Sequence, residues 1–473
     1  MSSTIKPKAG TGLLPAAEQP WLMAPPPDDL LARCCAFLTR RLGLRFPPER
    51  WPDLERALAA AAPELGCSDL RDCQLRLLSA PLSHGQLEIL ASHLTIGETY
   101  FFREPAAFAV LRQCILPALI KQRRTASRRL RLWSAGCASG EEAYSIAIEL
   151  TRLLPDLAEW NVSILATDIN PRFLAKAARG IYEDWSFRDG ETDLKESHFS
   201  RGADGRHAIL PHLKALVSFD HLNLVDDSYP AIDTGTNAMD IIFCRNVMMY
   251  FQPERAAAVI EKLSRCLVEG GWLVVSPVEV PMVKRPELQA FRLPGTILFQ
   301  KQRLATPLVA TVPLPLALPT ASPAPPAVPT VPTAPHLPPD AAAMAGLARA
   351  AANNGQLEEA LAWCRQALDH DKLNPAWSYL HATILLELGD TVAAAGALRR
   401  TLYLDHHCVM AHLTLGHLMA RQEKPAAARR HFRNVQELLA AMPPEQLLTE
   451  GEGISAGRLG EIVAALLAEG VPA

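Results

Sequence analysis

The apolar positions of this chain change period from one stretch to the next. In residues 28–90, Leu30, Leu31, Cys34, Phe37 and Leu38 recur at i, i+3, i+4 spacing, and the region from Leu54 to Leu58 repeats it. That spacing predicts a small helical unit. From 128 to 303 the pattern alternates. Short apolar runs at 130–134, 162–166, 240–244, 272–276 and 296–300 predict strands, and amphipathic stretches at 141–154, 171–178 and 253–267 predict helices. Gly270-Gly271 reads as the turn into the fourth strand. Alternation with short connections predicts an α/β domain with a largely parallel, helix-covered sheet. Residues 183–222 interrupt it. There Gly202-Ala203-Asp204-Gly205 separates Phe199 from Ala208-Ile209-Leu210, which predicts an inserted β-hairpin.

A different regularity governs residues 339–442. Gly355, Gly389 and Glu423 lie 34 positions apart, as do Ala348, Ala382 and Gly416, then Ala360, Ala394 and Ala428, then Cys364, Leu398 and Phe432. Small residues at two fixed places let helices cross closely, and a larger apolar residue fills between them. A 34-residue period of this kind is the tetratricopeptide signature, here three repeats. Residues 443–473 supply a capping helix near 458–467. Residues 304–338 are proline-rich and almost uncharged, a linker of polyproline II character, and residues 1–27 read as disordered. A linker of that length predicts two independently moving modules.

Composition removes several classes of function. The net charge of −3 gives no global drive toward nucleic acid or anionic membrane. Lys121-Gln122-Arg123-Arg124 and Arg128-Arg129-Leu130-Arg131 are basic, and a solvated face is the expectation for them. The ten cysteines form no CxxC pair and show no metal-ligand spacing with histidine, so free thiols in a reducing cytoplasm and no metal are expected. No apolar run is long enough to span a membrane.

The candidate chemistry sits at strand ends. Gly136-Cys137-Ala138-Ser139-Gly140 joins the first strand to its helix, and such a loop lets a ligand approach the backbone at a helix N-terminus. It is not the GxGxxG of a nicotinamide site. Glu141 and Glu142 occupy the first helical turn, where they also complement the helix dipole. Asp168 ends the second strand, the place from which an acid grips a ribose diol. Arg103 and Arg245 are the cations suited to a carboxylate, which a guanidinium binds bidentately.

Three separated segments carry a resemblance: Thr99-Tyr100-Phe101-Phe102-Arg103-Glu104, the run from Leu132 to Ser145, and Phe243-Cys244-Arg245-Asn246-Val247-Met248-Met249-Tyr250-Phe251. In order and spacing, over residues 91–303, they resemble the CheR-type methyltransferases. The resemblance implies a Rossmann-like methyltransferase sheet and S-adenosylmethionine as cofactor. It implies esterification of glutamate side chains on methyl-accepting chemotaxis-type receptors. By the same resemblance Thr99, Arg103, Glu142, Asp168, Asn223, Leu224, Arg245 and Asn246 contact the cofactor, Tyr250 shapes the transfer site, and residues 28–90 dock the receptor. With its repeats the architecture resembles the WspC type, which serves surface sensing and biofilm formation. The repeats imply a protein partner.

Two departures stand out. The family reads Asn-Glu-Thr where this chain has Gly97-Glu98-Thr99, so one side-chain cofactor contact is missing. The Arg-dense docking helix of enterobacterial members is also thin here: residues 48–62 hold only Arg50 and Arg56 beside Glu49, Asp53 and Glu55, which leaves Arg33, Arg40, Arg41 and Arg45 to supply a positive face. A methyltransferase on another protein acceptor and a non-catalytic scaffold with a degenerate pocket remain as rival readings.

Overall fold

The computed structural model describes residues 30–125, 128–188, 193–232, 234–302, 340–422, 424–448 and 454–468. The stretches read as disordered N-terminus (1–27) and proline-rich linker (304–338) lie outside these.

Four helices come first: α1 (Leu30–Leu42), α2 (Trp51–Ala61), α3 (Leu70–Ser79) and α4 (His84–Leu94). A capping box fixes the start of α4, with Ser83 and Gln86 each accepting from the other's backbone N–H. The boundary drawn at residue 90 falls inside this helix. α5 (Pro105–Val110) continues through a π-helical turn into α6 (Leu116–Arg123). The alternating region follows as β1 (Arg129–Ala135), α7 (Glu141–Leu153), β2 (Asn161–Asp168) and α8 (Pro171–Arg179). Next come β3 (Ile181–Tyr182), α9 (Leu194–His198), β4 (Phe199–Arg201), β5 (His207–Ile209), α10 (Pro211–Lys214) and β6 (Val217–His221). The domain closes with β7 (Met239–Phe243), α11 (Pro253–Cys266), β8 (Leu267–Val274), β9 (Leu288–Leu293) and β10 (Thr296–Lys301).

The main sheet has the order β6-β2-β1-β7-β8-β10-β9, and the inserted hairpin β4–β5 joins β3 in a separate three-stranded sheet. Strands β6 to β8 of this order are parallel, while β10 is antiparallel to both its neighbours. This is the Rossmann-like arrangement expected. Two strands of the main sheet, and the two-residue β3 of the small one, escaped the sequence pattern. β6 and β9 are edge strands whose residues are mostly half-buried or exposed, so neither carries an apolar run. Gly270-Gly271 is not a turn. β8 passes straight through it, and the register jumps from Met239↔Leu267 to Ile241↔Trp272, so that Gly270 at φ +79° sits in a bulge.

Helices α1 to α4 are not a separate module. Leu38, Leu54, Leu58 and Leu90 share one apolar core with Trp133, Ile242 and Leu263 on one face of the sheet. Tyr144, Ile146, Ile164 and Phe243 belong to the core on the other face.

The C-terminal part is an array of helix pairs: α12 (Ala341–Asn353), α13 (Leu357–His370), α14 (Pro375–Glu387), α15 (Thr391–Leu404), α16 (Val409–Arg421) and α17 (Pro425–Ala440), capped by α18 (Ala456–Ala468). The periodic residues explain it. Ala348 and Ala382, with Ala360, Ala394 and Ala428, are wholly buried, and Cys364, Leu398 and Phe432 fill between helices. A Cβ on Gly416 would run into the Phe432 ring.

The array does not stand apart from the sheet domain. Glu387 at the end of α14 accepts from Arg129 Nη2 at 2.6 Å and pairs with Arg131. Asn237 Nδ2 donates to the Ala352 carbonyl at 3.1 Å, and Ile232 packs into the array's core with Met344 and Leu380. A Cβ on Gly355 would lie 2.9 Å from that of Ala238. The expectation of independent modules is therefore corrected. That of a solvated basic face holds only in part: Lys121 and Arg124 are exposed and Arg128 is half-buried, the last two paired with Asp156 and Glu159, whereas Arg129 and Arg131 are buried and Arg123 pairs with Asp240 at 2.6 Å. The five arginines are paired within the chain.

Candidate active site

Strand order reverses between β1 and β7. The connections leaving these strands diverge and open a crevice at their C-terminal ends, where α/β sheets hold ligands. The loop after β1 needs its glycines. Gly136 is at φ +84°, and a Cβ there would strike the side chain of Val247 from the loop after β7. Non-glycine residues in the left-handed region gather around the same place: Phe102, Glu104, Ala138 and Asn246. Each costs on the order of 1 kcal/mol, strain of the kind that clusters at ligand sites.

All nine residues nominated from the sequence, Thr99, Arg103, Glu142, Asp168, Asn223, Leu224, Arg245, Asn246 and Tyr250, line this one cleft. It holds about 1130 Å³ of empty space, including its mouth. Asp168 ends β2 with both oxygens held: Oδ2 accepts from the Ala138 N–H at 2.9 Å and Oδ1 from the Asn170 N–H at 2.8 Å. Burial pushes its carboxyl above the ordinary range, and these backbone donors pull it back.

Glu142 accepts from Ser134 Oγ at 2.7 Å and faces Arg245 Nη1 at 3.2 Å. Its carboxyl is raised by burial, against the pull of the Arg245 charge. Arg245 is itself almost closed off, its side chain 2% exposed. It also pairs with Glu104 at 2.9 Å and donates to the Arg103 carbonyl at 2.5 Å. With two carboxylates on one guanidinium, this cluster is net negative. Arg103 also faces the cleft; its Nη1 donates to the Glu98 carbonyl at 2.5 Å, and among the described residues no carboxylate pairs with it. Asn223 is tied to the helical unit through its Nδ2, which donates to the Arg41 carbonyl at 2.9 Å. The Tyr250 carbonyl accepts from the Arg45 N–H at 2.8 Å.

Three residues were missed. Glu279 is wholly buried under the loop after β7. Its Oε1 accepts from the N–H groups of Val247 (2.8 Å) and Met249 (3.2 Å), and its Oε2 from those of Asn246 (2.9 Å) and Ser276 (3.1 Å) and from Ser276 Oγ (2.6 Å). One carboxylate thus shapes the Arg245–Met249 loop from 30 residues away in sequence, a distance no local pattern spans. Glu104, next to Pro105, reads in sequence as an ordinary helix start. Phe173 lines the cleft and occupies the space beside Gly97; a Cβ at 97 would collide with its ring. The glycine that departs from the family pattern is therefore matched by an aromatic ring.

The helical unit brings Arg45 and Arg50 to the mouth of the cleft, although Arg50 also meets Asp53 at 3.5 Å. The thiols of Cys137 and Cys244 are pushed well up by burial, so neither is poised as a thiolate nucleophile.

Comparison with known proteins agrees with this geometry. Residues 97–289 match the family described as CheR methyltransferase, SAM binding domain. The chain is 34% identical over 219 residues to a probable chemotaxis protein methyltransferase of Rhizobium etli, covering 46% of this chain and 79% of that protein. It is 30% identical over 253 residues to a chemotaxis protein methyltransferase of Borreliella burgdorferi, covering 53% and 88%. Similarity to a probable biofilm formation methyltransferase WspC of Pseudomonas putida runs through 83% of this chain and 95% of that one at 29% identity. A cleft at the switch point of a methyltransferase-type sheet and relatives matched over most of their length converge on one conclusion: the chain belongs to the CheR family of S-adenosylmethionine-dependent methyltransferases.

Proposed function

We propose that this protein methylates glutamate side chains of a methyl-accepting chemotaxis-type receptor, with S-adenosylmethionine as donor. The observation that carries this reading is the convergence of nine residues, nominated from five sequence regions, on a single cleft. The residues present fit such a cofactor. Asp168 would hold the ribose diol, Arg103 the carboxylate of the amino-acid tail, and Glu142 its ammonium, with Arg245 fixing Glu142 in place. Thr99, Asn223, Leu224 and Asn246 would complete the contacts, and Phe173 offers a ring face for the adenine. The Gly136 cradle, which a Cβ would fill, supplies the close backbone approach.

When bound, the cofactor supplies a methyl group on a positively charged sulfur. The chain's own task is modest. A glutamate with a pKa near 4.3 is already ionised at neutral pH, so no side chain has to remove a proton. The cleft aligns the acceptor carboxylate and excludes water from it, and alignment accounts for most of the rate. Tyr250 shapes the transfer site. Arg45 and Arg50 at the mouth, with residues 28–90 behind them, receive the acidic receptor segment. The repeat array binds a protein partner or the receptor's tail and raises the local enzyme concentration. Among the described residues no helix is long and apolar enough to cross a membrane, which fits an enzyme that meets its receptor from the cytoplasm. Similarity along the WspC protein supports a role in surface sensing and biofilm control.

The test is transfer of radiolabelled methyl from S-adenosylmethionine to the cytoplasmic domain of a chemoreceptor encoded beside this protein. Base-labile label is the expected result. Cofactor binding without transfer would move the reading to another acceptor, and no binding would favour a scaffold.

A further inference from the structure

We propose that His84, Glu88 and His221 form a site for a divalent transition-metal ion of the zinc class, which staples the helical unit to the sheet beside the cleft. One ligand atom from each of the three residues lies within 4.8 Å of the others. Nothing in the methyl-transfer reading uses them. They come from two elements 130 residues apart in sequence, so no local ligand spacing announces the site.

The geometry is close to a ligand set already. His84 is the first residue of α4 and Glu88 lies one turn later on the same face, with His84 Nε2 and Glu88 Oε1 3.5 Å apart. Tetrahedral coordination at about 2.1 Å sets neighbouring ligand atoms roughly 3.4 Å apart. That pair therefore stands at coordinating distance. The capping box at Ser83 and Gln86 holds the helix start, and with it His84, in place.

His221 ends β6, its ring edge-on to that of His84 with centroids 4.9 Å apart. Its Nε2 donates to the Ile169 carbonyl at 3.1 Å. In the neutral ring this places the proton on Nε2 and the basic lone pair on Nδ1. A backbone carbonyl fixing the tautomer in this way is the usual outer support of a ligating histidine. The remaining closure, of at most about 1.4 Å, falls to the His84 ring, whose side chain is half exposed and able to swing. Two imidazoles and one carboxylate suit zinc, nickel or cobalt, and leave a fourth position for water. Asp226 adds negative charge nearby. Its carboxyl is raised by burial and drawn down by Lys262, Arg41 and His84.

The placement gives the site a consequence. α4 belongs to the helical unit. His221 pairs in register with Asp168, and Ile169, Leu222 and Asn223 line the cleft. A metal there would tie the unit that faces the acceptor to the strand ends that face the cofactor.

The test uses the full chain, stripped with chelator and titrated with zinc chloride, with bound metal counted after gel filtration. His84→Ala and Glu88→Gln are compared with the parent. His84 is exposed, so its replacement leaves the fold intact, which the metal-free thermal midpoint checks. The parent is expected to retain one equivalent that each variant loses or holds at least tenfold more weakly. Its thermal midpoint should rise with zinc while those of the variants do not. Zinc stoichiometry and affinity that are the same in parent and variants, or a parent that retains none, would overturn the proposal and leave a helical His–Glu pair.

Discussion

Glu387→Ala tests the joint between sheet and array. Glu387 is the only carboxylate among the described residues that pairs with both Arg129 and Arg131. The three side chains are 15%, 11% and 6% exposed, so the pair is mostly shielded from solvent screening. Removing one partner of a buried pair costs about 3–5 kcal/mol. The lower end applies, because Arg131 keeps the Gly235 carbonyl at 2.5 Å and Asn237 at 3.4 Å. About 3 kcal/mol is a factor of roughly 100 in the docking equilibrium, at about 1.4 kcal/mol per tenfold. Small-angle scattering should show a larger radius of gyration for the variant, and amides at the start of β1 should exchange faster. The charge also sets a pH dependence. Burial alone would raise the Glu387 carboxyl, but Arg131 and Arg129 hold it below its ordinary value of 4.5. A depressed pKa stabilises the docked form fully above the ordinary value and loses that contribution as pH falls through the depressed one. Undocking on acidification should therefore begin below about 4.5 in the parent and be absent as a separate step in the variant. Identical scattering and exchange in parent and variant at neutral pH would refute the reasoning.

Other perturbations follow from the cleft. Asp168→Ala should weaken S-adenosylmethionine binding about tenfold or more in calorimetry, the loss of a charged hydrogen bond worth about 1.4 kcal/mol; unchanged affinity removes Asp168 from the site. Glu279→Ala strips the acceptor from four backbone N–H groups, at about 1–3 kcal/mol for each one left buried and unpaired. It should lower both the thermal midpoint and cofactor affinity, and a variant within about 1 kcal/mol of the parent in denaturant titration would contradict the loop-shaping role. Gly97→Asn should bind cofactor more weakly on its own, because Phe173 occupies its space, and the loss in the double variant with Phe173→Ala should be smaller than the sum of the two single losses. Additive effects in that double-mutant cycle, within about 0.5 kcal/mol, would mean that the two positions are independent.

The parallel core of the sheet was legible because buried strands read as apolar runs: β1, β2 and β7 end within two residues of expectation, as does the antiparallel β10. The array was legible because each 34-residue step returns a residue to the same helix crossing, as the buried Ala348 and Ala382 show. What failed did so for physical reasons. β9 is an edge strand with one face in solvent, so its pattern is weak. Arg129 and Arg131 look like surface charge because their partner lies more than 250 positions away. The cleft residues were found together because two of the three motifs sit at the ends of β1 and β7, where chain direction brings them to one edge, and the third, Thr99–Glu104, joins α4 to α5 beside them. Glu279 and Phe173 act across the cleft from elements with no motif, and only coordinates reveal such partners.

The joint and the cleft lie at opposite ends of β1. Arg129 and Arg131 are at its start, and Gly136 follows its last residue. A strand advances about 3.3 Å per residue, so the seven residues of β1 put roughly 20 Å between the array's anchor and the cleft. An array anchored there by Glu387, Ala352 and Gly355 meets the sheet at the edge away from the pocket. Among the described residues, none that lines the cleft comes from the array. The repeats are thus poorly placed to act as a lid over bound cofactor. They are well placed to hold a partner beside an open active site, because docking removes the freedom that an untethered module would spend searching. On this geometry, losing the array should raise the receptor concentration needed for half-maximal methylation while leaving cofactor affinity unchanged. A gating role would do the reverse.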